Sequence, residues 1–342
     1  MANVVFMDGF DSYDPDATNT VRPGIHSKWV VVAGDAVSFP SGRYSGRCLH
    51  MGDSFFGNSI RAYFNDNKFY QSGTVAFAVL VNDVARAESH GQFMSIMHGQ
   101  ESQFSISISN IGEVVLNRSD TAVAVSAPNR IKTNAWHFME LEYVGHASAG
   151  RASLYLDGVK VVEFTGNTQA IAPYGFNGIQ IQGGPGSAIF IDDLYLIDSA
   201  TRIGERRIET LVPNGDLIGN QFVASSGTFQ FSMINESLVS ATTYVSATAQ
   251  GSKALYNFTN LSTTPDKIDA VQLNVWATKT DAATRQLQTI VKSGTTETNS
   301  PDYNLPTNHT NLNRIENKDP ATNNAWTATA VNAVQAGFKI SQ

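Results

Sequence analysis

The sequence predicts an all-β protein of two consecutive sandwiches, and three observations carry that expectation. Apolar residues recur with period two along most of the chain, the signature of strands with one buried and one wet face. Clusters of Gly, Asn, Asp and Ser punctuate these runs at short intervals, as turns between strands require. Helical periodicity is poor throughout. The 342 residues are 42% apolar, enough for a sizeable core, but only 15% charged, below the ~25% of ordinary soluble chains.

Each element follows from its local pattern. In "QFSISIS", Phe104, Ile106 and Ile108 alternate with Gln103, Ser105 and Ser107. "TVAFAVLV", residues 74–81, is apolar on both faces and reads as an inner strand. "WHFMELEYV" (136–144) and "SLYLDGVKVVEF" (153–164) continue the series, the second with a hairpin turn at Asp157-Gly158, where glycine tolerates the positive φ of a tight turn. "GIQIQGGPGSAIFIDDLYLID" (178–198) is expected to be another hairpin, turning at residues 183–186. The texture then changes: residues 199–216 hold the densest charged cluster and end in turn residues. This gives a first domain over 1–200, a charged linker over 201–216 and a smaller β-sandwich over 217–342. In the latter, "AVQLNVWATKT" is expected to pair with "RQLQTIVKSG" across Asp281-Ala282, and the tail suits a short helical turn or a final strand.

The charge balance narrows the partners. The net charge is −7 and no basic run exists, which argues against a surface that tracks nucleic-acid phosphates. Cys48 is the single cysteine, so an intrachain disulfide and a zinc site of several cysteines are excluded. No stretch approaches the ~18 apolar residues of a membrane span, and the start lacks a basic and apolar leader. Synthesis in a cytoplasm without membrane insertion is expected.

The stretches "FMDGFDSY", "GRYSGRCLHM", "TVAFAVLV", "WHFMELEY", "LYLDGVKV" and "IDDLYLID" together resemble the concanavalin A-like, laminin-G-type jelly roll. "GERRIETLVPNGD" and "DPATNNAWTATAVNAVQAGFK" are similar to stretches of bacteriophage virion proteins that carry this domain. The resemblance implies a structural component on the virion exterior, on tail, fibre or capsid surface. Its partners would be other virion proteins and host-surface polysaccharide. It would be assembled in the host cytoplasm, and a homo-oligomer is expected from the prevalence of closed symmetric assemblies. A decoration protein without glycan binding is the alternative, and a glycan hydrolase a distant third.

Asp192 and Asp193 are neighbours, and on a regular strand neighbours point to opposite faces. They therefore should not converge on one bond, and one of them must face inward. Glu140 and Glu142 share a face but lack the third carboxylate of the E-x-D-x-x-E strand of glycosidases on this fold. The seven histidines show no H-E-x-x-H spacing, and no G-x-S-x-G or phosphate loop occurs. The expectation is that the chain is not an enzyme. Asp8 and Asp11 near the start, with Asp192 and Asp193 near the end of the first domain, form an all-oxygen donor set for a candidate structural calcium. The other reading is that they accept backbone N–H bonds and pin the terminal strands. Trp29, Tyr44, Tyr174, Phe176 and Asn177 are candidate glycan contacts, against ordinary packing of aromatics. Trp276, on the polar side of its strand, and the arginines Arg202, Arg206 and Arg207 are candidate subunit contacts, against a covered tryptophan and a solvated linker.

Overall fold

The computed structural model describes residues 2–13, 28–33, 37–52, 58–64, 68–87, 92–173, 175–183, 188–236, 240 and 242–342. It divides into two compact units, Met1–Ile208 and Glu209–Gln342. Residues 201–208 of the charged segment thus fold with the first unit, and 209–216 with the second.

The first unit is a two-sheet sandwich. Its strands are β1 (Val4–Asp8), β2 (Val30–Ala33), β3 (Val37–Ser38), β4 (Leu49–Met51), β5 (Asn58–Tyr63), β6 (Ser72–Val81), β7 (Met94–His98) and β8 (Glu101–Ile108). There follow β9 (Val114–Arg118), β10 (Thr121–Val125), β11 (Trp136–Val144), β12 (Gly150–Leu156), β13 (Val159–Gly166), β14 (Gly178–Gly183) and β15 (Ile189–Ile197). An eight-stranded sheet runs β13-β12-β11-β6-β15-β4-β3 with β1 on β15, and a seven-stranded sheet runs β10-β9-β8-β7-β14-β5-β2. All pairings are antiparallel between named strands. Phe77 meets Phe93, Tyr143 meets Phe104, and Phe64 and Tyr143 both meet Phe176 between the sheets. These rings mark the core side, so the intervening residues of each strand lie on the outer faces.

The inner strand foreseen in "TVAFAVLV" is β6, flanked by β11 and β15. The Asp157-Gly158 turn joins β12 to β13 with both residues at positive φ, 50° and 81°, the backbone a two-residue hairpin turn needs. The second expected hairpin does not form. β14 pairs with β5 and β7 while β15 pairs with β4, β6 and β1, so the two strands belong to different sheets; residues 184–187 of the expected turn lie outside the described residues. Gly-rich chain is compatible with either course, because it lacks the short Asp-Gly or Asn-Gly signal that fixes a tight turn.

The second unit is built on a six-stranded sheet (213–216, 253–258, 335–340, 286–293, 296–299 and 303–304), with a two-stranded ribbon of 271–277 and 310–316. The expected pairing across Asp281-Ala282 is replaced by Val271–Ala277 on Thr310–Glu316 and Gln286–Ser293 on Gln335–Ile340. The tail supplies both of its readings, a short helix over Ala328–Asn332 and a closing strand. Phe222, Tyr256, Leu273, Val275, Leu287, Trp326 and Phe338 form its own core.

Candidate functional site

Asp192 and Asp193 sit where β15 breaks its alternation. The register on β6 slips between Asp192, opposite Ala78, and Tyr195, opposite Ala76. Asp193 takes φ of +53°, a left-handed conformation typical of a bulge. The bulge turns both carboxylates toward the layer outside the eight-stranded sheet, correcting the expectation that one of them faces the core. There Asp193 Oδ1 accepts the Ile208 N–H at 2.7 Å, and Asp192 Oδ2 accepts the Arg43 N–H at 2.8 Å. Asp192 Oδ1 accepts the N–H of Asp193 itself. Burial pushes the Asp192 carboxyl up to about 6. Burial, reinforced by the neighbouring Asp192 charge, pushes Asp193 up to about 7.

Residues 199–208 cross this outer face as a strap. Arg202 Nε donates to Glu140 Oε2 at 2.8 Å, Gly204 N–H to Glu140 Oε1 at 2.9 Å, and Tyr195 OH to the Gly204 carbonyl at 2.7 Å. The Arg202 guanidinium also lies 3.9 Å from the centre of the Tyr155 ring. Glu140 is therefore a buried anchor for the strap and not a solvated charge. Glu142 is buried as well, facing Arg151 at 3.7 Å.

The other acidic candidates bind protein groups. Asp8 accepts from Phe10 N–H, Tyr13 OH and Trp29 Nε1, and Lys28 Nζ stands 3.2 Å away. An ammonium thus occupies the position a cation would take beside Asp8. Asp11 accepts the Arg47 N–H. Among the described residues no group of three or more acidic, histidine or cysteine side chains is arranged to hold a metal.

The loop aromatics proposed from sequence separate on exposure. Trp29 and Phe176 are fully buried core rings, which corrects their reading as glycan contacts: neither offers a face to a ligand. Asn177 is half-buried and its side chain accepts the Gly99 N–H at 2.8 Å. Tyr44 is 57% exposed, with its ring beside Arg43 and Arg207 and its hydroxyl donating to Glu205. Tyr174 lies outside the described residues. Of the contact candidates, Arg202 is committed to Glu140, Arg207 donates to Ser45 Oγ, and Arg206 donates to the Glu205 carbonyl. Trp276 is half-buried opposite Asn311.

The most distinctive polar surface lies elsewhere, on the outer face of the seven-stranded sheet. Arg61 on β5, Gln180 on β14, Ser95 on β7, Ser105 on β8 and Asn117 on β9 stand in one cross-strand row. Ser95, Ser105 and Asn117 are buried, whereas Arg61, Tyr63, Gln180 and Gln182 are half-buried. The accessible part is therefore the end over β5 and β14. Arg61 Nε donates to Gln180 Oε1 at 3.0 Å and Nη1 to Tyr63 OH at 3.1 Å; Gln180 Nε2 donates to Gln182 Oε1 at 3.3 Å. The Tyr63 ring lies over Gly178, where a Cβ would come within 3.1 Å of its Cδ1. Val30, paired with Arg61 from β2, is 51% exposed at the rim. Sequence reasoning missed this group because "SIRAYF" and "GIQIQG" look like ordinary strands with a wet side. The available signal was the type of polar residue: guanidinium, phenol and paired amides in place of Ser and Thr.

No protein-family description matches the chain, and no curated protein matches it by sequence. Solved structures match at the level of the fold. An endo-β-1,4-glucuronan lyase from the fungus Trichoderma reesei aligns with 12% identity over 57% of this chain and 95% of its own, TM-score 0.37. An alginate lyase bound to an alginate trisaccharide aligns with 12% identity over 58% and 99%, TM-score 0.39. A botulinum neurotoxin type C structure, described as entering cells through two ganglioside molecules, aligns with 14% identity over 52% and 45%, TM-score 0.39. With polysaccharide lyases among these structures, the expectation that the chain is not an enzyme is corrected: missing hydrolase motifs do not exclude catalysis on such a sandwich. By its own strand order the first unit is a two-sheet antiparallel β-sandwich of the jelly-roll kind.

Proposed function

We propose that the chain recognises a glycan on the outer face of its seven-stranded sheet, over β5 and β14. One observation carries the reading: Arg61, Tyr63, Gln180 and Gln182 form a connected, half-buried group on two adjacent strands. Side chains held on paired strands keep their geometry better than side chains on loops. The guanidinium, the amides and the phenol supply hydrogen-bond donors to the oxygens of a sugar, and the exposed Val30 beside them gives an apolar edge for a ring. The test is binding of purified protein to host-surface and reference polysaccharides. Gln180→Ala, which removes the amide at the centre of the group, is expected to weaken binding at least tenfold with little change in melting temperature. Unchanged affinity would refute the placement.

Cleavage of the bound chain is a second reading, favoured by the Tyr63 hydroxyl beside Arg61. A phenol held against a guanidinium is a group that can move a proton. Tyr63→Phe would then abolish release of shortened chains while retaining binding. The location belongs to the same proposal: the likeness of "GERRIETLVPNGD" and the tail to bacteriophage virion proteins supports a place on the particle exterior, with other virion proteins as neighbours. Labelling of intact particles with an antibody against the chain tests it.

A further inference from the structure

We infer that the glycan recognised over β5 and β14 is anionic, and that Arg61 binds a sugar carboxylate. The inference rests on the glycan reading above and deepens it. Arg61 is a half-buried guanidinium whose hydrogen-bond partners, Gln180 and Tyr63, are both neutral. Among the described residues it forms no ion pair. Burying part of a charge without a counter-charge costs free energy, and a ligand anion would recover it. A guanidinium has five N–H donors, of which three are used in these bonds, leaving two.

The surrounding amides point the same way. Arg61 can only donate, so Gln180 must turn its oxygen toward it. The Gln180 NH2 then faces away and meets the oxygen of Gln182. Gln182, with its oxygen accepting that bond, keeps its own NH2 as a donor. Acceptors are thus consumed from Arg61 along the row, and the unused groups are N–H donors. A donor-rich, positively charged patch on strands selects acceptor-only groups, and the planar guanidinium matches a carboxylate in particular. The preference is local, because the chain as a whole carries a net charge of −7.

The test compares alginate, polygalacturonate and hyaluronan with the same three polymers after chemical reduction of their carboxyl groups, against wild type and Arg61→Gln. At least one carboxylated polymer should bind tenfold or more tighter than its reduced form, with affinity falling as salt rises, and Arg61→Gln should erase that preference. Should Arg61→Gln fail to fold, Gln182→Glu serves instead: a carboxylate placed among the donors should weaken binding of the acidic polymer at least tenfold. Equal binding of carboxylated and reduced polymers would overturn the inference and leave glycan recognition standing. Absence of binding to every polymer of both sets would overturn both.

Discussion

At the scale of single residues, Asp193 shows how a local backbone choice changes electrostatics. Its φ of +53° places two carboxylates side by side under the strap, and one Asp193 oxygen, Oδ2, is buried with no partner. Burial pushes its carboxyl up to about 7 and that of Asp192 up to about 6, against about 4 for an unfolded aspartate. Between those values the folded state binds more protons than the unfolded one, so stability falls as pH rises from about 4 to about 7 and then levels. Urea unfolding should show that loss, at most about 1.4 kcal/mol per pH unit for each carboxyl, and Asp193→Asn should remove the Asp193 share and leave that of Asp192. Stability that rises over the same interval would contradict this account. Trp29 is a second case: the sequence offers it as a ligand contact, and the fold makes it a core ring with its Nε1–H on Asp8. Trp29→Ala should cost roughly 3–5 kcal/mol of stability, read from the urea midpoint, and should act on binding only through unfolding.

At the scale of elements, the legible features were those fixed by short-range chemistry. The alternation in "QFSISIS", the inner strand "TVAFAVLV" and the Asp157-Gly158 turn all follow from side-chain period and turn residues, and β8, β6 and the β12–β13 hairpin bear them out. What sequence alone could not carry was any feature decided by partners distant along the chain. The bulge at Asp193 is specified by the register of β6 and by Ile208, not by residues beside it. β14 does not pair with β15, because its two edges are taken by β5 and β7. The Arg61 group needed that same placement of β14 beside β5 before it could be seen. The strap depends on Glu140, which is 1% exposed. Glu140→Ala would leave the Arg202 guanidinium and the Gly204 N–H without their acceptor. Since Arg202 keeps partial contact with water, a loss of about 2 kcal/mol is expected, below the 3–5 kcal/mol of a fully buried pair, and visible in urea unfolding.

At the scale of the whole molecule, two units each own a core, Met1–Ile208 with its aromatic rings between two sheets and Glu209–Gln342 around Tyr256 and Trp326. A fragment ending at Ile208 keeps the strap and every residue of the Arg61 group, so it should fold alone and retain polysaccharide binding. Loss of binding by a folded fragment would assign recognition to the second unit. The central claim is that one face, over β5 and β14, meets the ligand. Hydrogen exchange of the full chain with and without a bound polysaccharide tests it most directly. The account predicts slowed exchange concentrated in residues 58–63 and 178–183. Protection confined to the Tyr44 loop or to residues beyond 208, with those two strands unchanged, would contradict it.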